Sequence, residues 1–184
     1  MKKQDLSTCN LPDLPGVYFF RDAENNIFVK TRGLKLVSMV IAAHTVTHQV
    51  TDSVLEALLL ESKLIKDNTP PYNTKEKDNK SFTCVVITKE AFPRVLSMRI
   101  RDFEKRFTKK ETLAVYGPFA SLSSLREALK IIRRMFPYRD RCEVNQGKPC
   151  FNAQLGLCPG VCTGMISQAE YKRQISNVQK LFEG

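Results

Sequence analysis

The 184-residue sequence has no apolar run long enough to span a membrane, although 42% of its residues are hydrophobic and can fill the core of one large domain or two small ones. A soluble, globular protein is expected. Its opening, MKKQDLSTCNLPDLPG, lacks the apolar stretch of an export leader, because two acids and two prolines interrupt it. Secretion is not expected, and the cytoplasm is the anticipated location. Internal repeats and low-complexity tracts are also missing. Acidic residues are scarce: 19 Asp and Glu stand against 29 Lys and Arg, for a net charge of +10. Nearly all of that excess lies between Lys77 and Arg141, where 16 cations face 7 anions. Such a stretch is either a solvated face or a surface for a polyanion, and arginines recurring at helical spacing favour nucleic acid.

What is present divides near Lys75. Pro15 to Phe20 and Ile27 to Val29 are short apolar runs around turn-forming residues 22–26, which predicts a β-hairpin. Helical spacing over Gly33 to Ala43 and alternation over His44 to Thr51 add a helix and a third strand. Ser53 and Glu56 form a capping box for a helix that Pro70-Pro71 must stop. Its apolar stripe, Val54, Ala57, Leu58, Leu64 and Ile65, also contains Glu61. A carboxylate facing inward needs a partner, a wet cleft or a cation; the plainer alternative is a stripe that reaches solvent at that point.

Beyond a charged linker from Lys75 to Lys80, strands are expected over Ser81 to Thr88, Arg94 to Arg101, and Thr112 to Tyr116, the last ending at Gly117-Pro118. Ser121 caps a predicted helix to Phe136 with Leu122, Leu125, Leu129, Ile132 and Phe136 inward. Arg126, Lys130, Arg133 and Arg134 are left to solvent, as a cationic, DNA-binding face. A last helix spans Ser167 to Phe182. The fold class is α+β: a small antiparallel sheet flanked by helices over residues 1–75, then a basic strand-helix region with a cysteine cluster over 76–184.

Six cysteines without an export signal argue against a disulfide framework. Four of them, Cys142, Cys150, Cys158 and Cys162, are spaced C-x7-C-x7-C-x3-C among prolines and glycines that keep the backbone in loops, so the thiolates can converge on a metal. Tetrahedral zinc and a four-iron cluster both accept four thiolates. The paired CxxC knuckles of zinc ribbons are missing, which leans the reading toward iron–sulfur. Unligated structural cysteines are the bland alternative. Cys9 and Cys84 stand outside the pattern as ordinary thiols, Cys84 within a strand.

Taken in order, LPDLPGVYFF, EALLLESKLIK with PPYN, YGPF with the basic helix to FPYRDRC, CFNAQLGLCPGVC and LFEG resemble the GIY-YIG endonuclease domain and the cysteine-bearing region of the UvrC excinuclease subunit. The resemblance implies a DNA-repair nuclease of nucleotide excision repair, cutting 3′ of a lesion by metal-assisted phosphodiester hydrolysis. It implies that Glu61 is a ligand for Mg²⁺ or Mn²⁺, that Tyr18 helps build the site around the attacking water, and that Asn73 is a supporting polar group. It also implies that the four cysteines hold a [4Fe–4S] cluster, with zinc as the alternative. DNA and other excision-repair subunits of the UvrB kind are the implied partners, although the usual partner-binding hairpin is not within these 184 residues.

The chain departs from the family where its second strand should read Y-V-G. Phe28 replaces the tyrosine, Lys30-Thr31-Arg32 follows without the glycine, and the sequence passes to Gly33–Ala43, skipping the helix that carries a catalytic arginine. Each missing group is expected to cost ~10²-fold or more in rate. Three functions follow as expectations: an active or weakly active nuclease, a DNA- or partner-binding iron–sulfur module with impaired or absent cleavage, which the two missing elements favour, and a zinc-stabilised structural protein with no nucleic-acid role.

Overall fold

The computed structural model describes residues 12–21, 27–30, 43–68 and 82–183, which group into two compact units. The first unit is built on strands β1 (Gly16–Arg21), β2 (Ile27–Lys30) and β3 (Thr45–Val50), with β1 central and antiparallel to both neighbours. In the ladder Tyr18 stands opposite Lys30 and His48, and Phe20 opposite Phe28 and Val46. Gly16 is demanded by this pairing. A Cβ there would lie 2.6 Å from the Gln49 carbonyl oxygen, so any larger residue would push β3 away.

Helix α1 (Val54–Asn68) starts where Ser53 Oγ accepts the Glu56 amide at 3.1 Å. The Glu56 carboxylate reaches back one residue further than a standard capping box, to the Asp52 amide at 3.0 Å. Alternation along β1 then decides what α1 covers. Val17 and Phe19 pack with Ala57, Leu60, Leu64 and Ile65. Tyr18 and Phe20 take the other face, with Ala43 and Val46. Val54, expected in the apolar stripe, is exposed instead, because the stripe settles onto the sheet only from Ala57 onward. The helix expected over Gly33 to Ala43 falls almost wholly outside the described residues.

The second unit is organised by β4 (Thr83–Thr88), flanked by β5 (Val95–Arg99) and β6 (Thr112–Phe119). All six β4 residues are buried, as a strand covered on both faces requires. Cys84 lies there, its thiol pushed up to about 11 by burial. Two boundaries differ from expectation. The second strand stops at Arg99 and the chain turns directly into α2 (Ile100–Arg106), a surface helix with no buried residue and hence no apolar stripe to read. The third strand runs on through Gly117-Pro118. Gly117 adopts φ 139°, which suits glycine, and β6 is an edge strand, the position in a sheet that tolerates proline.

Helices α3 (Leu122–Met135), α4 (Phe151–Gln154) and α5 (Gln168–Glu183) complete this unit. α3 buries Leu125, Ala128, Leu129 and Ile132. A capping box at Ser167 and Glu170 opens α5, which buries Tyr171, Ile175 and Val178. At its far end Phe182 stacks on Tyr116, 4.9 Å between ring centres, and Glu183 accepts the Tyr116 hydroxyl at 3.0 Å. No helix among the described residues is long and apolar enough to cross a membrane.

Candidate metal centre and nucleic-acid interface

Between α3 and α5 the chain is almost all loop, and its four cysteines come together. The sulfur atoms of Cys142, Cys150, Cys158 and Cys162 lie within 4.8 Å of one another, with Cys142 and Cys158 Sγ 3.9 Å apart. Short backbone bonds bring the loops to this point. Asn145 N donates to Val161 O at 3.1 Å and Gly147 N to Cys162 O at 3.2 Å, while the Asn152 carbonyl accepts both the Leu157 and Cys158 amides. Gly160 and Gly164, at φ 84° and 72°, bracket the single 3₁₀ turn that holds Cys162.

Four sulfurs this close cannot all ionise without a cation among them. Burial and then the neighbouring Cys158 and Cys150 sulfurs push the Cys142 thiol well up. Burial likewise raises Cys158. Cys150 goes the other way: burial acts upward, but the Ala153 amide and the surrounding thiols outweigh it and hold it low. An all-sulfur donor set of this kind fits a soft metal, zinc or iron–sulfur.

Two arginines frame the centre. Arg139, 8% exposed, donates from Nε to the Cys142 carbonyl at 2.6 Å and from Nη1 to Glu90 Oε2 at 3.0 Å and the Phe92 carbonyl at 2.8 Å. Its own amide donates to the Tyr171 hydroxyl, which in turn donates to the Pro93 carbonyl. Burial tends to raise the Glu90 carboxyl, but bonds from Thr88 and Arg94 and the charges of Arg94 and Arg139 bring it below its ordinary value. Arg133 reaches from α3 to the Asp140 carboxylate with both Nη atoms at 3.1 Å, to the Leu157 carbonyl at 2.7 Å and to the Tyr138 carbonyl at 2.8 Å. Asp140 also accepts from Asn152 at 3.1 Å.

This corrects the expectation for Arg133. Its side chain is 13% exposed and turned inward, because three acceptors distant in sequence converge on it. Arg126, Lys130 and Arg134 are exposed on α3, as anticipated. Arg139, Asp140, Glu90 and Asn152 went unnoticed in the sequence; only the dense Arg-Asp-Arg run just before Cys142 hinted at an ion-pair frame.

In the first unit Glu61 is fully buried, in the row of α1 that includes Ala57 and Ile65. Tyr18 lies on the opposite face of β1 from the one that α1 covers, and its hydroxyl donates to the Pro12 carbonyl at 3.0 Å. The two residues therefore belong to different sides of the strand. Asn73 lies outside the described residues.

Two family models match the chain: the UvrC-like GIY-YIG domain over residues 28–74, and the UvrC/Cho excinuclease middle domain over residues 82–181. Among curated relatives it is similar to the UvrABC system protein C of Trichormus variabilis, 37% identical, and to that of a Synechococcus species, 34% identical. In both, 95% of the chain aligns with 30% of the relative. The archaeal Methanothermobacter thermautotrophicus protein of the same name is 34% identical, with 95% of the chain and 31% of the relative covered. The chain thus spans about a third of the length of these relatives. The cyanobacterial alignments run over 194 positions although 95% of this chain supplies about 175, so the relatives carry roughly twenty residues that it lacks. No solved structure matches.

Proposed function

Because the chain belongs to the UvrC excinuclease family, matched through its middle domain over more than half its length, we propose that it is a DNA-binding component of nucleotide excision repair whose own cleavage chemistry is impaired. The observation that carries this reading is the thiolate centre locked to α3, the helix that displays Arg126, Lys130 and Arg134. Cations on a helix made rigid by its footing neutralise phosphates at little entropic cost, so DNA affinity should fall steeply with salt. Arg133 acts beneath this face by fixing its position. The protein is proposed to work in the cytoplasm, on DNA and with partners of the UvrB kind.

In the family reaction a divalent cation held by Glu61 would polarise the scissile phosphate and activate water. Three observations support the loss of that chemistry here. Glu61 is sealed from solvent, Tyr18 lies across the strand from it, and Phe28 offers no hydroxyl. The roughly twenty missing residues are consistent with loss of the arginine-bearing helix. Asn73 remains the candidate supporting group.

The four cysteines are proposed to hold a [4Fe–4S] cluster, as the resemblance implies. Zinc is the second reading, favoured by one specific observation: a tetrahedral ion with Zn–S of about 2.3 Å sets its sulfurs roughly 3.8 Å apart, close to the 3.9 Å between Cys142 and Cys158. Iron, sulfide and zinc analysis of protein purified without oxygen decides between them; zinc without iron or sulfide refutes the cluster. Binding to labelled duplex DNA between 50 and ~200 mM salt tests the rest. An affinity indifferent to salt, or Glu61-dependent nicking with Mg²⁺ or Mn²⁺, refutes the corresponding half of the proposal.

A further inference from the structure

The loop around the thiolate centre displays apolar side chains that packing does not require. α4 is one turn with no buried residue; Phe151 at its start is 72% exposed, and Leu155, whose amide donates to the Phe151 carbonyl at 3.2 Å, is 55% exposed. Large apolar groups left in water on a fixed scaffold mark a contact surface. The scaffold is fixed here. Cys150 and Cys158 bracket the pair, the Ala153 and Gln154 amides donate to the Cys150 carbonyl at 2.9 and 3.1 Å, and Asn152 between them is tied to Asp140.

The surroundings say what kind of partner fits. Two residues beyond Leu155, the Leu157 carbonyl takes the Arg133 bond from α3, which sets the pair beside the helix bearing exposed Arg126, Lys130 and Arg134. Arg141 and Lys148 are exposed on the adjoining loop, against Glu143 alone among its exposed acids. An apolar protein surface would leave these cations unmatched. A nucleic acid matches both features, phosphates to the cations and bases to the apolar pair, and only unstacked bases offer a free face.

We propose that Phe151 and Leu155 form an apolar wedge that engages unstacked bases in DNA, so that this unit prefers distorted over regular duplex. The proposal rests on the DNA-binding reading and adds a structural preference to it. One aromatic stacking contact changes affinity by roughly tenfold.

The test uses the metal-loaded full chain and two probes of one sequence: a fully paired duplex, and the same duplex with a central bubble carrying 2-aminopurine. The expected result is roughly tenfold tighter binding to the bubble, with a change in 2-aminopurine fluorescence. The Phe151→Ala/Leu155→Ala variant should bind both probes equally, keep the wild-type affinity and salt slope on paired duplex, and retain full metal content. Phe151→Trp should keep the preference. Arg126→Ala/Lys130→Ala should weaken both probes alike. A double-alanine variant that still prefers the bubble overturns the wedge and leaves the pair to a protein partner. A wild type that binds both probes equally also overturns it while sparing the DNA-binding reading, whereas a wild type that binds neither sinks that reading first.

Discussion

Arg133 and Arg134 are neighbours in sequence with opposite surroundings, and exchanging each for methionine separates their roles. Arg133→Met keeps most of the aliphatic volume but deletes a two-pronged pair with Asp140 and two bonds to backbone carbonyls. Breaking a fully buried ion pair costs about 3–5 kcal/mol. Asp140 retains 27% exposure, so water recovers part of the loss and ~2–3 kcal/mol is the better figure. For a unit of about a hundred residues that lowers Tm by roughly 8–20 °C. Arg133→Lys should regain less than half, since an ammonium cannot grip both carboxylate oxygens. Arg134→Met, at an exposed position, should leave Tm within about 2–3 °C but weaken DNA binding and flatten its salt slope by about one. The assays are thermal unfolding of metal-loaded protein and binding across a salt series. Equal thermal shifts for the two variants would refute the inward placement of Arg133.

Acid should act through Glu90. Its carboxyl is depressed in the folded state, so its stabilising contribution is complete above the ordinary carboxyl range and disappears as pH falls through the lower, folded value; Glu90→Gln should flatten Tm against pH below about 4.5, and an unchanged profile would count against the Arg139 frame. Chelation should free four thiols, with Cys150, whose thiol is held low, reacting ahead of Cys84, which is buried in β4 and pushed up to about 11; loss of metal with no gain in thiol reactivity would contradict ligation by these cysteines. Gly16→Ala should lower the stability of the first unit by about 1–3 kcal/mol, because its new methyl meets the Gln49 carbonyl, and chemical denaturation would measure the change in midpoint.

Much of the fold was legible because its signals are periodic and local. β1, β3, β4, α1, α3 and α5 each advertise an alternation, a stripe or a cap. α2 escaped because a helix that buries nothing has no stripe, and β6 was cut short because Gly117-Pro118 reads as a stop when an edge position permits a strand to continue. The convergence of four cysteines was readable from spacing, since prolines and glycines leave those loops few other arrangements. Arg133 was misjudged for a physical reason: it sits at the border of the apolar stripe, and its acceptors lie 5, 7 and 24 residues away, beyond what a helical wheel can weigh. Phe151 and Leu155 were overlooked because exposure is a property of the folded surface.

All of the acceptors that hold Arg133 follow it in the chain, the farthest being Leu157. During synthesis α3 therefore leaves the ribosome before any of its footing exists, and five more residues must emerge after Leu157 to supply the fourth cysteine. Asp140 emerges early enough to meet Arg133, but the Leu157 carbonyl and the fourth cysteine, which complete the footing of the helix, come later. Under the proposed ligation and DNA-binding roles, the footing of α3 closes only once Cys162 has emerged and metal has arrived.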